Sequence, residues 1–272
     1  MPLRVLTYHA IADLGDDPVL GSFSVPPGLF ARQLDRLLRT GHRFIDGDQL
    51  RGFLAGESRL PRKPLLLTFD DCYRDLLDVA LPLLRARGIP AIAFAVAGQV
   101  GGSNVWDQAR GGERLELLDA AGLRTLAAHG VEIGAHGLTH RPLVDVPAGE
   151  LTSEVVGSLD ALEALGLPRP RWFAYPYGAC NFRVFSAVVE AGLLGAFLVR
   201  PAVLDPHEGH FLLPRIVVFR SDGEWGVRWK LEAALLRERR ARVRAVLRRL
   251  RRRLGEQARR GTGRAARSAS GP

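Results

Sequence analysis

The sequence predicts a single α/β domain with parallel strands, on three observations. Short apolar runs alternate with longer stretches of helical periodicity from Val5 to Phe219, the pattern of strands joined by crossover helices. Gly41, Gly88, Gly130, Gly166 and Gly192 each stand just past a helix-like stretch, where a residue that tolerates positive φ ends a helix. The third is size: 272 residues, 47% of them apolar, suffice for one α/β barrel with a filled core.

In chain order, strands are expected at Val5 to His9, Leu65 to Phe69, Ile92 to Val96, Val131 to Ala135, Trp172 to Tyr175, Ala196 to Val199 and Arg215 to Phe219. Pro64-Leu65-Leu66-Leu67 is apolar at every position, as a strand buried on both faces should be. Helices are expected at Leu29 to Arg39, Leu76 to Arg87, Arg124 to Ala128, Glu150 to Leu165 and Arg183 to Ala191. Phe23, Phe30, Phe44, Phe53 and the leucine-rich helix faces are read as core. No internal repeat or long low-complexity linker interrupts the pattern.

Two polar runs close apolar stretches. Thr68-Phe69-Asp70-Asp71 ends the strand begun at Pro64, and His136-Gly137-Leu138-Thr139-His140 follows Val131-Glu132-Ile133-Gly134. The C-terminal ends of strands are where α/β proteins keep their chemistry. Successive strand residues point to opposite sides, so Asp70 and Asp71 share one cavity only if the chain turns there. Two imidazoles four apart share a face of a helical turn or converge from a tight loop, and with one carboxylate they make an open set for a divalent metal. Mixed nitrogen and oxygen ligands suit Zn²⁺ first, with Co²⁺, Mn²⁺ or Ni²⁺ as alternatives.

These runs, in this order, resemble the polysaccharide deacetylase family, the NodB-homology or carbohydrate esterase 4 group. The likeness extends from Val5-Leu6-Thr7-Tyr8-His9 to about Arg220 and includes Phe173-Ala174-Tyr175-Pro176-Tyr177-Gly178 as a third motif. The resemblance implies a distorted, incomplete (β/α)7 barrel with Asp71, His136 and His140 as metal ligands and Asp70 as catalytic base. It also implies the Tyr177 backbone N–H as an oxyanion donor, within a substrate-binding turn that contains Tyr175 and Pro176. Tyr8-His9 and Asn104-Val105-Trp106-Asp107 look like the branch acting on N-acetylglucosamine polymers and other surface glycans. In that loop Trp106 is read either as a platform that stacks on a sugar ring, with Asp107 accepting a hydroxyl hydrogen bond, or as a packing plug.

The sequence departs from the family pattern in three places. Ala174 stands where many relatives carry the arginine that orients the base, and Arg215, on a different strand, is the candidate replacement. Leu213-Pro214-Arg215-Ile216-Val217-Val218 lacks the late Leu-x-His acid, leaving His9, His207 and His210 as candidates. Cys72 replaces the usual glycine after the paired aspartates; it would narrow the pocket, offer a thiolate ligand, or pack as a small hydrophobe. With Cys180 the only other cysteine, no disulfide framework is expected.

Charge concentrates at the C-terminus. From Trp229 to Pro272 there are fifteen Lys/Arg against three Glu, and with a whole-chain charge of +9 residues 1–228 carry −3. The expected organisation is a catalytic domain at 1–222 and, at 223–272, a basic C-terminal helical tail. In that tail Leu236, Val243, Val246, Leu247, Leu250 and Leu254 recur at helical spacing, and disorder is expected from Gly261 to Pro272 on composition. An anionic membrane surface is the favoured tail partner over nucleic acid or a partner helix. No apolar run approaches the about 20 residues of a membrane span. Met1-Pro2-Leu3-Arg4 runs into the first strand without an apolar signal segment, so a cytoplasmic location, peripheral at the inner face of the membrane, is expected.

The functional expectation is metal-dependent removal of the N-acetyl group of an amino sugar in a saccharide, polysaccharide or glycolipid, releasing acetate. The alternatives are an amidase or deformylase on a related small or lipid-linked substrate, or a glycan-binding scaffold without turnover.

Overall fold

The computed structural model describes residues 2–204 and 209–237 of the chain. The described residues hold eight strands: β1 (Arg4–Tyr8), β2 (Arg43–Ile45), β3 (Pro64–Asp71), β4 (Ala91–Ala95), β5 (Val131–Ala135), β6 (Trp172–Ala174), β7 (Gly195–Val199) and β8 (Leu213–Val217). Helices α1 (Pro27–Arg39), α2 (Gly47–Leu54), α3 (Leu81–Arg85), α4 (Val105–Gln108), α5 (Ala120–Ala128), α6 (Ala148–Ala164) and α7 (Phe182–Glu190) lie between them, and α8 (223–237) follows β8.

Seven strands close into a parallel barrel in the order β1-β8-β7-β6-β5-β4-β3, the ring being completed by β1 against β3. This is the expected NodB-type (β/α)7 architecture. It is distorted at its thinnest seams, where β5 meets β6 only at Ala135↔Phe173 and β1 meets β8 only at Leu6↔Ile216 and Thr7↔Val217. β2 is a short addition alongside the first half of β3.

Strand alternation divides the apolar residues into two cores. Leu6, Tyr8, Leu65, Leu67, Phe69, Ala91 and Ala93 face outward into the layer between sheet and helices. Val5, Leu66, Ile92, Phe94, Trp172, Phe197 and Leu213 fill the barrel interior. The same parity directs Thr7, Thr68, Asp70 and Arg215 inward, above that apolar filling. Leu50 and Leu54 of α2 join the interior cluster and plug the N-terminal end of the barrel.

Three features differ from the sequence expectation. β2 and α2 were not anticipated, because one is three residues long and the other eight; the capping box that starts α2, Asp46 with Gln49, is the signal that marks it. The stretch from Leu76 is not one regular helix: a π-helical turn at Leu76–Ala80 leads into α3. Pro82 has no N–H for the ladder and its ring crowds the carbonyl four residues back, which the wider turn accommodates. Finally, the segment after residue 222 begins as part of the barrel's packing. Val227, Leu231 and Ala234 of α8 are buried in the outer core, Gln33 Nε2 donates to the Gly223 carbonyl at 2.9 Å, and Arg36 pairs with Glu224 at 2.7 Å.

The tail residues Val243, Val246, Leu247, Leu250 and Leu254 lie outside the described residues. Among the described residues no helix is long and apolar enough to cross a membrane. Both cysteines are free.

The barrel interior at β5 leaves no room for a side chain at Gly134, where a Cβ would stand 2.6 Å from the Phe94 ring and 2.9 Å from the Trp172 carbonyl oxygen. Gly134→Ala is therefore expected to destabilise the protein by about 1–3 kcal/mol, read as a lower urea midpoint at unchanged slope.

Candidate active site

β3 carries Asp70 into the barrel, where its carboxylate is 3% exposed and meets a guanidinium from the far side of β1. Arg215 of β8 donates through Nη1 to Asp70 Oδ1 at 2.6 Å and through Nη2 to Oδ2 at 2.8 Å. Nη1 also reaches Thr7 Oγ1 at 3.2 Å and Thr68 Oγ1 at 3.4 Å. Arg215 is fully buried, so the bidentate pair is shielded from solvent screening. Burial pushes the Asp70 carboxyl up, but Arg215, His136 and His9 together hold it below the usual carboxylate range.

The strand then turns. Asp71 has φ 70° and Cys72 φ 58°, a left-handed step that brings the second carboxylate into the cavity that strand parity would deny it. Asp71 Oδ1 lies 3.2 Å from His140 Nε2 and 3.7 Å from His136 Nε2. Burial raises its pKa, yet the flanking histidines, His140 foremost, bring it well below the ordinary value. Cys72 points elsewhere: its side chain is buried in the outer hydrophobic core, and the described metal-competent cluster does not include it.

His136 Nδ1 is 2.7 Å from the Ala174 carbonyl oxygen. A carbonyl only accepts, so Nδ1 carries the proton and Nε2 presents a lone pair toward Asp71. Burial lowers the His136 pKa to about 4, which keeps the imidazole neutral. The loop between the two histidines is held by Glu154 of α6, whose carboxylate accepts from the Leu138 and Thr139 backbone N–H groups, both at 3.1 Å, and from the Thr139 hydroxyl. Sequence reading missed Glu154. Its signal is an acid on the buried face of α6, beside Leu151, Val155, Leu159 and Leu162.

His140 sits at φ 63° with its ring between two aromatics, Trp106 at 4.2 Å and Tyr177 at 4.8 Å between centroids. Trp106 thus spends a face on a histidine rather than leaving both for a sugar. Asp107 is buried in the same wall, its Oδ2 accepting from the Tyr73 hydroxyl at 3.2 Å and Asn104 Nδ2 at 3.3 Å. Burial, reinforced by the Asp71 charge, raises the Asp107 pKa. Tyr175 lines the pocket with its ring and donates its hydroxyl away, to the Phe211 carbonyl at 2.9 Å. Pro176 is buried beside Gly137 and is not among the residues that line the cavity. Tyr177 adopts φ 57° in the turn that follows β6 and is half-exposed at the mouth.

These groups converge on a cavity of about 340 Å³ at the C-terminal end of the barrel, with His9, Asp70, Asp71, His136 and His140 among its lining. His9 Nε2 lies 3.9 Å from Asp70 Oδ2, and its Nδ1 is buried without a partner. The opposite wall is apolar and holds a correction: Phe23, read as core, lines the cavity and packs against His9 at 5.1 Å and Phe219 at 5.3 Å. His210 is not at the site. Its carbonyl accepts from Ala196 N at the start of β7, the opposite end of the barrel. His207 lies outside the described residues.

The donor set fits a divalent cation. One atom from each of Asp71, His136 and His140 lies within 4.8 Å of the others, and Asp71 Oδ1 is a buried oxygen with no hydrogen-bond partner. A carboxylate and two imidazoles leave positions open for water and substrate.

A family model described as polysaccharide deacetylase matches residues 57–196, just over half of the chain. The poly-beta-1,6-N-acetyl-D-glucosamine N-deacetylase of Staphylococcus epidermidis is 22% identical over 212 residues, covering 76% of this chain and 72% of that protein. IcaB from Ammonifex degensii superposes with a TM-score of 0.73 at 26% identity, over 84% of this chain and 97% of that one. The Streptococcus pyogenes deacetylase PplD, solved with acetate, superposes with a TM-score of 0.72 at 20% identity, over 85% and 98%.

The site makes stability depend on pH with a definite sign. His136 titrates near 6.5 when unfolded and at about 4 when folded, so between those values the unfolded chain binds a proton that the folded protein refuses. Stability is full above this window and falls as the pH falls through it. Metal-free protein should show a urea midpoint that declines from pH 6.5 towards pH 4, and His136→Gln should flatten that decline.

Proposed function

The chain belongs to the polysaccharide deacetylase family, and on that premise we propose that it hydrolyses the N-acetyl group of an amino sugar in a saccharide, polysaccharide or glycolipid. The observation that carries the reading is the juxtaposition of a buried carboxylate clamped by Arg215 with a neighbouring carboxylate and two histidines that share one metal-competent cluster. A charged pair buried in the barrel stabilises it little over apolar packing, which favours a catalytic role over a scaffold without turnover. The relatives named for poly-beta-1,6-N-acetyl-D-glucosamine support a β-linked N-acetylglucosamine unit as the substrate class.

A divalent cation held by Asp71, His136 and His140, with Zn²⁺ first, would supply Lewis acidity at the amide carbonyl and lower the pKa of a bound water. The rest of the chemistry belongs to the chain. Asp70, kept ionised by Arg215, takes the proton of the attacking water; the guanidinium fixes the carboxylate plane so that it presents a lone pair to the cavity. The new C–O bond forms as the carbonyl π pair moves to oxygen, and the Tyr177 N–H donates to that oxyanion, worth about 3 kcal/mol if well placed. Collapse breaks the C–N bond, and the leaving nitrogen takes a proton as acetate departs. His9, beside Asp70 with its Nδ1 unpartnered, is the candidate to deliver it. Trp106 and Tyr177 hold His140 between them and offer their outer edges to the sugar, while Tyr175 completes the wall.

The test is acetate release from N-acetylglucosamine oligomers and from a lipid-linked N-acetyl sugar, using metal-stripped protein reloaded with Zn²⁺ or Co²⁺. Release should require the metal and be abolished in Asp71→Ala; stoichiometric metal binding with no release on either substrate overturns the reading. Arg215→Ala should lower kcat at least about 100-fold and cost about 3–5 kcal/mol of stability, because Asp70 is left buried and unpaired. Unchanged turnover in that variant removes Arg215 from the mechanism.

A further inference from the structure

We propose that the outward face of α8 docks on an anionic lipid bilayer. Trp225, Trp229 and Leu236 are 49%, 72% and 53% exposed. At 3.6 residues per turn they fall within about 40° of one another around the helix. Val227, Leu231 and Ala234 occupy the opposite side and are buried in the outer core. The helix is therefore apolar on two faces, only one of which the barrel covers. Single exposed apolar side chains are ordinary, but two tryptophans and a leucine aligned on one helix form a stripe.

The chemistry around the stripe selects the partner. Tryptophan favours the interface between water and hydrocarbon, where its ring is buried and its N–H stays wet. Arg228 and Arg237 flank the stripe and are exposed, and Arg36 stacks over the Trp225 ring at 3.7 Å. Glu232 falls on the same side, with its charge set against Arg4. The chain from Trp229 onward carries fifteen Lys/Arg against three Glu, whereas residues 1–228 carry −3. Aromatic insertion and a basic segment are the two signals that together anchor a protein reversibly to anionic lipid. A second copy of the chain would bring two strongly cationic segments together. Nucleic acid would satisfy the charge and leave the apolar stripe in water. α8 starts one short turn after Phe219, which lines the catalytic cavity, so a bilayer against this helix adjoins the wall of the pocket.

The inference is tested with the full chain and vesicles of equal parts phosphatidylglycerol and phosphatidylcholine, against vesicles of phosphatidylcholine alone. Sedimentation should show binding to the anionic vesicles only, weakening as salt rises, with a blue shift of tryptophan emission. Trp225→Ala with Trp229→Ala should weaken partitioning about tenfold or more, while Trp229→Phe alone keeps most of it. Turnover of a water-soluble N-acetylglucosamine oligomer should be unchanged in each variant, which also reports folding. Equal vesicle binding by the double alanine variant, absence of binding to anionic vesicles, or tight binding of duplex DNA without vesicle binding would each overturn the proposal. A chain that deacetylates soluble oligomers and ignores vesicles loses this inference alone.

Discussion

The pairing of Arg215 with Asp70 is the interaction on which the rest of the site depends. The barrel interior beneath it is filled by side chains such as Phe94, Trp172 and Phe197, a surrounding that disfavours an isolated carboxylate by several kcal/mol. Two hydrogen bonds from a buried guanidinium, with Thr7 and Thr68 in support, let Asp70 stay charged there. The partners come from β3 and β8, and the strand between them is β1. Ring closure and ionisation of Asp70 are therefore one structural event: the barrel must close for the arginine to arrive. Replacing such a pair with apolar side chains is often neutral or stabilising, so its presence points to chemistry rather than to stability.

The second constraint is backbone strain, and it is concentrated. Among the described residues, the non-glycine positions with positive φ are Lys63, Asp71, Cys72, His140 and Tyr177; all but Lys63 belong to the site or adjoin it. Left-handed backbone at such residues costs on the order of 1–3 kcal/mol each and persists only where the surroundings enforce it. At Asp71 the distortion overrides strand parity. At His140 and Tyr177 it brings two rings into tilted contact, 4.8 Å between centroids. Glu154 enforces the histidine loop from outside, and the Ala174 carbonyl fixes the His136 tautomer. The backbone of Cys72 takes the conformation in which glycine would be at ease, and its burial among apolar neighbours offsets part of that strain.

Much of this was legible in the sequence. Strand and helix periodicity located all seven barrel strands to within a few residues, because each carries a short, mostly apolar run that the barrel buries. The paired aspartates and the two histidines stand at strand ends, and the structure brings Asp70, Asp71, His136 and His140 into one cavity. Arg215 was legible only through an absence, the alanine at position 174. Other features were hidden for physical reasons. Glu154 reads as an ordinary helix acid until the loop it holds is in place. Phe23 looks like core because an apolar pocket wall and an apolar core have the same composition. Trp106 reads equally as a sugar platform or a packing plug, since no spacing rule announces that a histidine will take one face of it. β2 and α2 are too short for periodicity to register.

The packing of α8 bears on where the protein can be cut. Residue 222 looks like a natural end, since the last strand and its short turn are complete by then. Stopping there would strip Val227, Leu231 and Ala234 from the outer core and expose the apolar residues they cover. The truncated barrel would keep every candidate catalytic side chain and still be prone to aggregate. A recombinant catalytic fragment therefore has to run at least through Leu235, and the minimal folding unit is longer than the minimal list of motifs.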